Sequence, residues 1–85
     1  MPTIILTDPF KEDFFKLLVK EQKQARKALR FLAENPKHPS LRVHKIRGTP
    51  FWEAYVNKDV RTVYQAEKDV LTLHAIGHHD ILKEY

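Results

Sequence analysis

Phe51-Trp52-Glu53-Ala54-Tyr55-Val56, then Asn57-Lys58-Asp59, then Val60-Arg61-Thr62-Val63-Tyr64-Gln65-Ala66 is the stretch that decides the fold. Two runs rich in β-branched and aromatic residues flank a short polar segment, which reads as a β-hairpin. Side chains alternate between the two faces of a strand. Glu53 and Tyr55 therefore oppose Trp52, Ala54 and Val56, while Arg61, Val63 and Gln65 oppose Val60, Thr62, Tyr64 and Ala66. The second set makes a face apolar enough to receive helices, with Trp52 and Tyr64 as its aromatic core. The first, with Glu53, Tyr55 and Arg61, makes a polar floor open to a ligand.

Working outward, residues 41–46 and 70–76 keep the period of two and add a strand on each side, through Arg47-Gly48-Thr49-Pro50 and Glu67-Lys68-Asp69. Upstream the period becomes 3.6. Phe10, Phe14, Leu17 and Leu18 share one helical stripe with Ala25, Ala28, Leu29 and Leu32. Asp8 suits the N-cap, Pro9 the first helical position, and Asn35-Pro36 the end. One helix over 9–34 would be about 39 Å long, against strands of about 20 Å. A break between Lys20 and Gln24 is expected, giving a helical hairpin. Thr3-Ile4-Ile5-Leu6-Thr7 reads as a first strand. The order is β-α-α-β-β-β-β, an α+β fold with a mainly antiparallel sheet, in one domain over residues 1–85. Residues 78–85 form a tail expected to coil into a helical turn.

Composition narrows the chemistry. The 85 residues include no cysteine, which excludes a disulfide framework, a thiolate nucleophile and cysteine-ligated zinc. Apolar runs are far shorter than a membrane helix needs, and the chain opens into a strand-like segment rather than a secretory leader. A soluble, cytoplasmic protein with no membrane association is expected. From Lys20 to Arg47 nine basic residues face only Glu21 and Glu34, a local net of +7 within an overall +4. That asymmetry fits a polyanion or an acidic partner chain, and equally a solvated lysine-rich helix face.

The second half of the chain resembles the RelE/ParE superfamily of bacterial toxin-antitoxin toxins. Ile46-Arg47-Gly48-Thr49-Pro50 is similar to the family's Leu-Arg-Gly turn, and Val60-Arg61-Thr62-Val63-Tyr64-Gln65 to its Arg-x-x-Tyr strand. Ile76-Gly77-His78-His79-Asp80 with Tyr85 is similar to its closing segment. The matches run in order from Asn35 to Tyr85, and the helical hairpin fits the family fold. For the RelE branch the resemblance implies an mRNA interferase: a metal-independent endoribonuclease that cuts mRNA in the ribosomal A site and is neutralised by a cognate antitoxin. The RNA's own 2′-hydroxyl is the nucleophile there, so the protein has to position phosphate, stabilise negative charge and move protons.

Position by position, the resemblance makes Arg61 the phosphate-stabilising arginine, Lys45 and Arg47 RNA contacts, and Tyr85 a tyrosine near the scissile nucleotide. His79 takes the place of a catalytic arginine or histidine and leads as general acid. His44 and Asp59 match a histidine-using branch, with His44 the leading base. Glu53 and Tyr55 stand where lysine-using members carry catalytic lysines, so proton transfer would fall to histidine. Tyr55 is also placed to stack on a base. The partners implied are an antitoxin, the ribosome and mRNA, with no small-molecule cofactor.

Blander readings remain beside these. Arg61 can pair with Glu53 across the sheet as a structural ion pair. His78-His79-Asp80 invites a metal, but adjacent side chains rarely converge on one ion, and no metal is expected. His38 reads as a loop residue and His74 as a packed or solvated one. A gyrase-poisoning ParE-like binder and a catalytically silent interaction module are the rival functions.

Overall fold

The computed structural model describes residues 2–80 and 85. β1 (Thr3–Leu6) leads into α1 (Asp8–Lys16) and α2 (Val19–Glu34), a 3-10 turn follows over Pro39–Leu41, and four strands complete the chain: β2 (His44–Lys45), β3 (Phe51–Tyr55), β4 (Val60–Glu67) and β5 (Val70–His78). They form one sheet in the order β1-β5-β4-β3-β2, with β1 parallel to β5 and every other pair antiparallel. The α+β order expected from the sequence is the order observed. No described helix is long and apolar enough to cross a membrane.

The helical boundaries differ from expectation. Thr7, not Asp8, is the N-cap of α1: its hydroxyl accepts from the Phe10 N–H at 3.4 Å and donates to the Leu73 carbonyl at 2.8 Å, tying the helix start to β5. The chain breaks at Leu17 and Leu18, earlier than the Lys20–Gln24 segment, because the next turn satisfies the backbone groups freed there. The Glu21 carboxylate accepts from the Leu18 N–H at 3.0 Å, and the Gln22 amide donates to the Leu17 carbonyl at 3.1 Å. Leu17 is thereby buried, while Phe15, Leu18 and Val19 stay exposed.

Residues 41–46 form only a short strand. Pro39 favours a helical turn, His38 Nδ1 accepts from the Ser40 N–H at 3.2 Å, and Leu41 plugs into the core. Arg42 leaves the turn in the left-handed region at φ 45, so only His44 and Lys45 pair with β3. After Arg47, Gly48 takes φ +78, which glycine adopts without steric cost.

Phe10, Ala25, Leu32, Leu41, Ala54, Val60, Leu73 and Ile76 pack in the core between helices and sheet. Trp52 and Tyr64 pair across β3 and β4 on this face, as the alternation requires. Burial pushes the Tyr64 phenol from 10.0 up to about 12, so it remains a neutral donor. β5 reaches this core on both sides of a bulge. Val63 pairs with Ala75 and Tyr64 with Leu73, which leaves His74 as the extra residue and lets Leu71, Leu73 and Ile76 all face the helices. β5 runs on to His78, beyond the expected end at Ile76, and the helical turn expected over 78–85 lies largely outside the described residues.

Candidate active site

The polar floor is built around Glu53. Its side chain is 5% exposed, with Arg61 Nε at 3.2 Å from Oε1 and His44 Nε2 at 3.7 Å from Oε2. A carboxylate this buried is costly unless paired, and the guanidinium compensates it directly. Arg61 Nη1 donates to the carbonyls of Asn57 at 2.9 Å and Lys58 at 2.6 Å. The β3–β4 turn and the buried carboxylate thus hold one arginine between them. With Nε and Nη1 committed, Nη2 is the nitrogen through which this side chain, 12% exposed, can meet a phosphate. The structural pairing with Glu53 is real, and it also orients a guanidinium at the floor.

Tyr55 lies opposite Arg61 in the β3–β4 register, and the guanidinium sits 3.6 Å from its ring centroid, a close cation–π contact. Arg61 therefore covers part of the surface on which a base would stack. His44 approaches the same ring edge-on, with centroids 6.3 Å apart. Its Nδ1 lies 3.0 Å from the Arg42 carbonyl, so both ring nitrogens face acceptors. In the neutral ring an Nδ1–H donates to that carbonyl and leaves Nε2, 3.7 Å from the carboxylate, as the nitrogen that can accept a proton.

The other expected residues are divided by the sheet. Lys45 pairs with Trp52 and so takes the helix-side parity, away from His44 and Glu53. Arg47 is exposed in the turn beside Gly48. Asp59 contributes its backbone: its carbonyl accepts from the His79 N–H at 2.9 Å, which ties the end of β5 to the turn that holds Arg61. His78 pairs with Val60 on the helix side, its Nε2 3.4 Å from a Glu21 carboxylate oxygen. His79, next in the chain, is exposed and two residues beyond Gly77, the partner of Arg61. His78, His79 and Asp80 do not converge, and among the described residues no three His, Asp or Glu side chains cluster as a metal site. Tyr85 packs edge-on against Phe51 at 5.1 Å. Phe51 shares the floor face but lies four residues from Tyr55, roughly 13 Å along the strand. Tyr85 thus sits towards the opposite end of the floor from Arg61.

Sequence reasoning missed Arg42 and Lys58, which line a cavity of about 580 Å³ together with Tyr55 and Arg61. The one available signal was the Asn57-Lys58-Asp59 turn itself, read only as a polar connection.

No family model and no curated protein sequence matches the chain. Solved structures do. A copper-bound mutant toxin from Helicobacter pylori superposes with a TM-score of 0.79 at 30% identity, over 96% of this chain and 99% of that one. A metal-bound toxin from Helicobacter pylori gives 0.75 at 33% identity, over 96% and 99%. YafQ in the E. coli DinJ-YafQ complex gives 0.72 at 21%, over 96% and 98%, a likeness of fold. The strand order, the hairpin carrying Arg61 and near-complete coverage at 30% identity or more agree: the chain belongs to the RelE/ParE superfamily of toxins.

Proposed function

We propose that the chain is the toxin of a toxin-antitoxin pair and cuts mRNA on the ribosome, using the RNA's 2′-hydroxyl as nucleophile. The observation that carries this reading is Arg61, oriented by a buried carboxylate at 3.2 Å and turned with Tyr55, Arg42 and Lys58 to one open cavity that, among the described residues, no acidic side chain lines. An anionic phosphorane needs fixed donors of this kind, and prior orientation avoids reorganising them during reaction. The 2′-oxygen forms a bond to phosphorus as the bond to the 5′-oxygen breaks, leaving a 2′,3′-cyclic phosphate. The 2′-proton passes to a base, with His44 the candidate, and the leaving 5′-oxygen takes a proton from His79.

A partner belongs to the same reading. Phe15, Leu18 and Val19 are 73%, 70% and 69% exposed at the hairpin turn, beside the basic run that begins at Lys20. Such a surface fits an antitoxin segment bearing apolar and acidic side chains. YafQ, of the same fold, is found with a partner, DinJ.

One observation favours a binding-only toxin, as in a gyrase poison: most of Arg61's fork is committed inside the protein. Inducing the chain in cells while mapping mRNA 5′ ends and assaying gyrase separates the two. Codon-phased cuts that require translation are expected; DNA breaks with intact mRNA would establish the binding-only reading.

A further inference from the structure

The cavity beside Arg61 has a neighbour across Tyr55. A second cavity of about 350 Å³ shares Ser40 and Tyr55 as walls and continues between α2 and the 3-10 turn, past Lys27 and the Phe31–His38 pair. Those two rings are stacked, with centroids 4.2 Å apart and planes 5° from parallel. Lys27, Arg42, Lys58 and Arg61 line the two cavities, and among the described residues no carboxylate does.

We propose that this groove carries the single-stranded RNA adjoining the scissile phosphate, with Arg42 and Lys58 as its phosphate-holding residues. The inference rests on the mRNA-cleavage reading and extends it to residues that the resemblance did not mark. Arg61 is fixed by Glu53 and two carbonyls, so it serves as a wall at one end of the groove. Arg42 and Lys58 are exposed and have no ion pair among the described residues. Both are nonetheless positioned by the backbone. The Lys58 carbonyl receives Arg61 Nη1, which sets both cations by one turn. Arg42 is held in the left-handed region, its N–H on the Pro39 carbonyl at 3.2 Å and its own carbonyl 3.0 Å from His44 Nδ1. A conformation that arginine seldom adopts thus carries a guanidinium to 5.6 Å from the Tyr55 ring centroid.

Continuity with Arg61 decides between occupants. An acidic protein segment would meet the same cations, whereas RNA held for cleavage at Arg61 has to run on past Tyr55, Arg42 and Lys58. Its phosphates then lie on Arg and Lys, the groups that track a single-stranded backbone.

The test uses ribosomes programmed with an mRNA whose A-site nucleotides carry 2′-O-methyl groups, which can be bound but not cut. Affinity is measured from low to moderate salt for the parent, Arg42→Ala and Lys58→Ala, with thermal unfolding to confirm that each folds. Each variant is expected to bind roughly tenfold more weakly, with a salt slope smaller by about one. Arg42→Lys should keep the slope, since it keeps the charge. Equal affinity and slope in both alanine variants would overturn the groove assignment, as would loss of binding to an acidic partner with RNA binding intact. A parent protein that neither binds this complex nor cuts the unmodified mRNA would instead defeat the cleavage reading itself.

Discussion

Arg61→Ala is expected to lower the rate of mRNA cleavage by roughly 100-fold or more and to leave the shape of the pH profile unchanged. The loss is electrostatic, because arginine stays protonated throughout the working range. The same substitution also removes the only arginine that pairs with Glu53 among the described residues. A carboxylate on a side chain 5% exposed then lacks its guanidinium, and breaking such a pair costs about 3 kcal/mol or more. The two losses are separable. Removing the carboxylate as well, in the Arg61→Ala/Glu53→Ala double variant, should restore part of the stability and none of the activity. Denaturant unfolding and single-turnover cleavage on the same preparations read both quantities. A double variant that regains cleavage along with stability would make Arg61 a structural residue only.

His79→Ala is expected to slow cleavage by roughly 100-fold and to flatten one limb of the pH profile. A general acid acts in its protonated form, so the parent rate falls as rising pH removes that proton; without the group the fall disappears. His78→Ala should change the rate little, because His78 faces α2 and meets Glu21 there. The backbone contact of His79 with Asp59 holds it at the turn that anchors Arg61, so removing the imidazole leaves that tie intact. Single-turnover cleavage of ribosome-bound mRNA from pH 5.5 to 8.5, with chemistry slower than binding, makes the comparison. If His79→Ala matches the parent while His44→Ala abolishes cleavage, the acid is His44, whose two ring nitrogens already face acceptors.

Much of this fold was legible because β3 and β4 alternate cleanly. That alternation placed Glu53, Tyr55 and Arg61 on one face and Trp52 and Tyr64 on the other, and the register bears it out. The helical break was not legible, since Leu17 and Leu18 continue the stripe and only the reach of Glu21 and Gln22 back to them locates the turn. Residues 41–46 alternate like a strand, yet Pro39 and the burial of Leu41 draw the start of the run into a turn. The bulge at His74 had a faint signature, the adjacent buried pair Ala75-Ile76, which strict alternation does not allow. The groove was the least visible feature. Arg42 and Lys58 come from a left-handed residue and a hairpin turn, which have no period to read.

Without cysteine, and with a site built around Arg61 rather than a protein nucleophile, the chain is proposed to cleave RNA through the RNA's own 2′-hydroxyl. The direct measurement compares purified ribosomes programmed with an all-ribose mRNA and with one carrying a single 2′-deoxy nucleotide at the cut site, both treated with the parent protein. A cut that leaves a 2′,3′-cyclic phosphate is expected in the first, and no cut at that position in the second. Equal cleavage of both, with a terminal phosphate that is never cyclic, would show that water or a protein group attacks the phosphorus and would contradict attack by the 2′-hydroxyl.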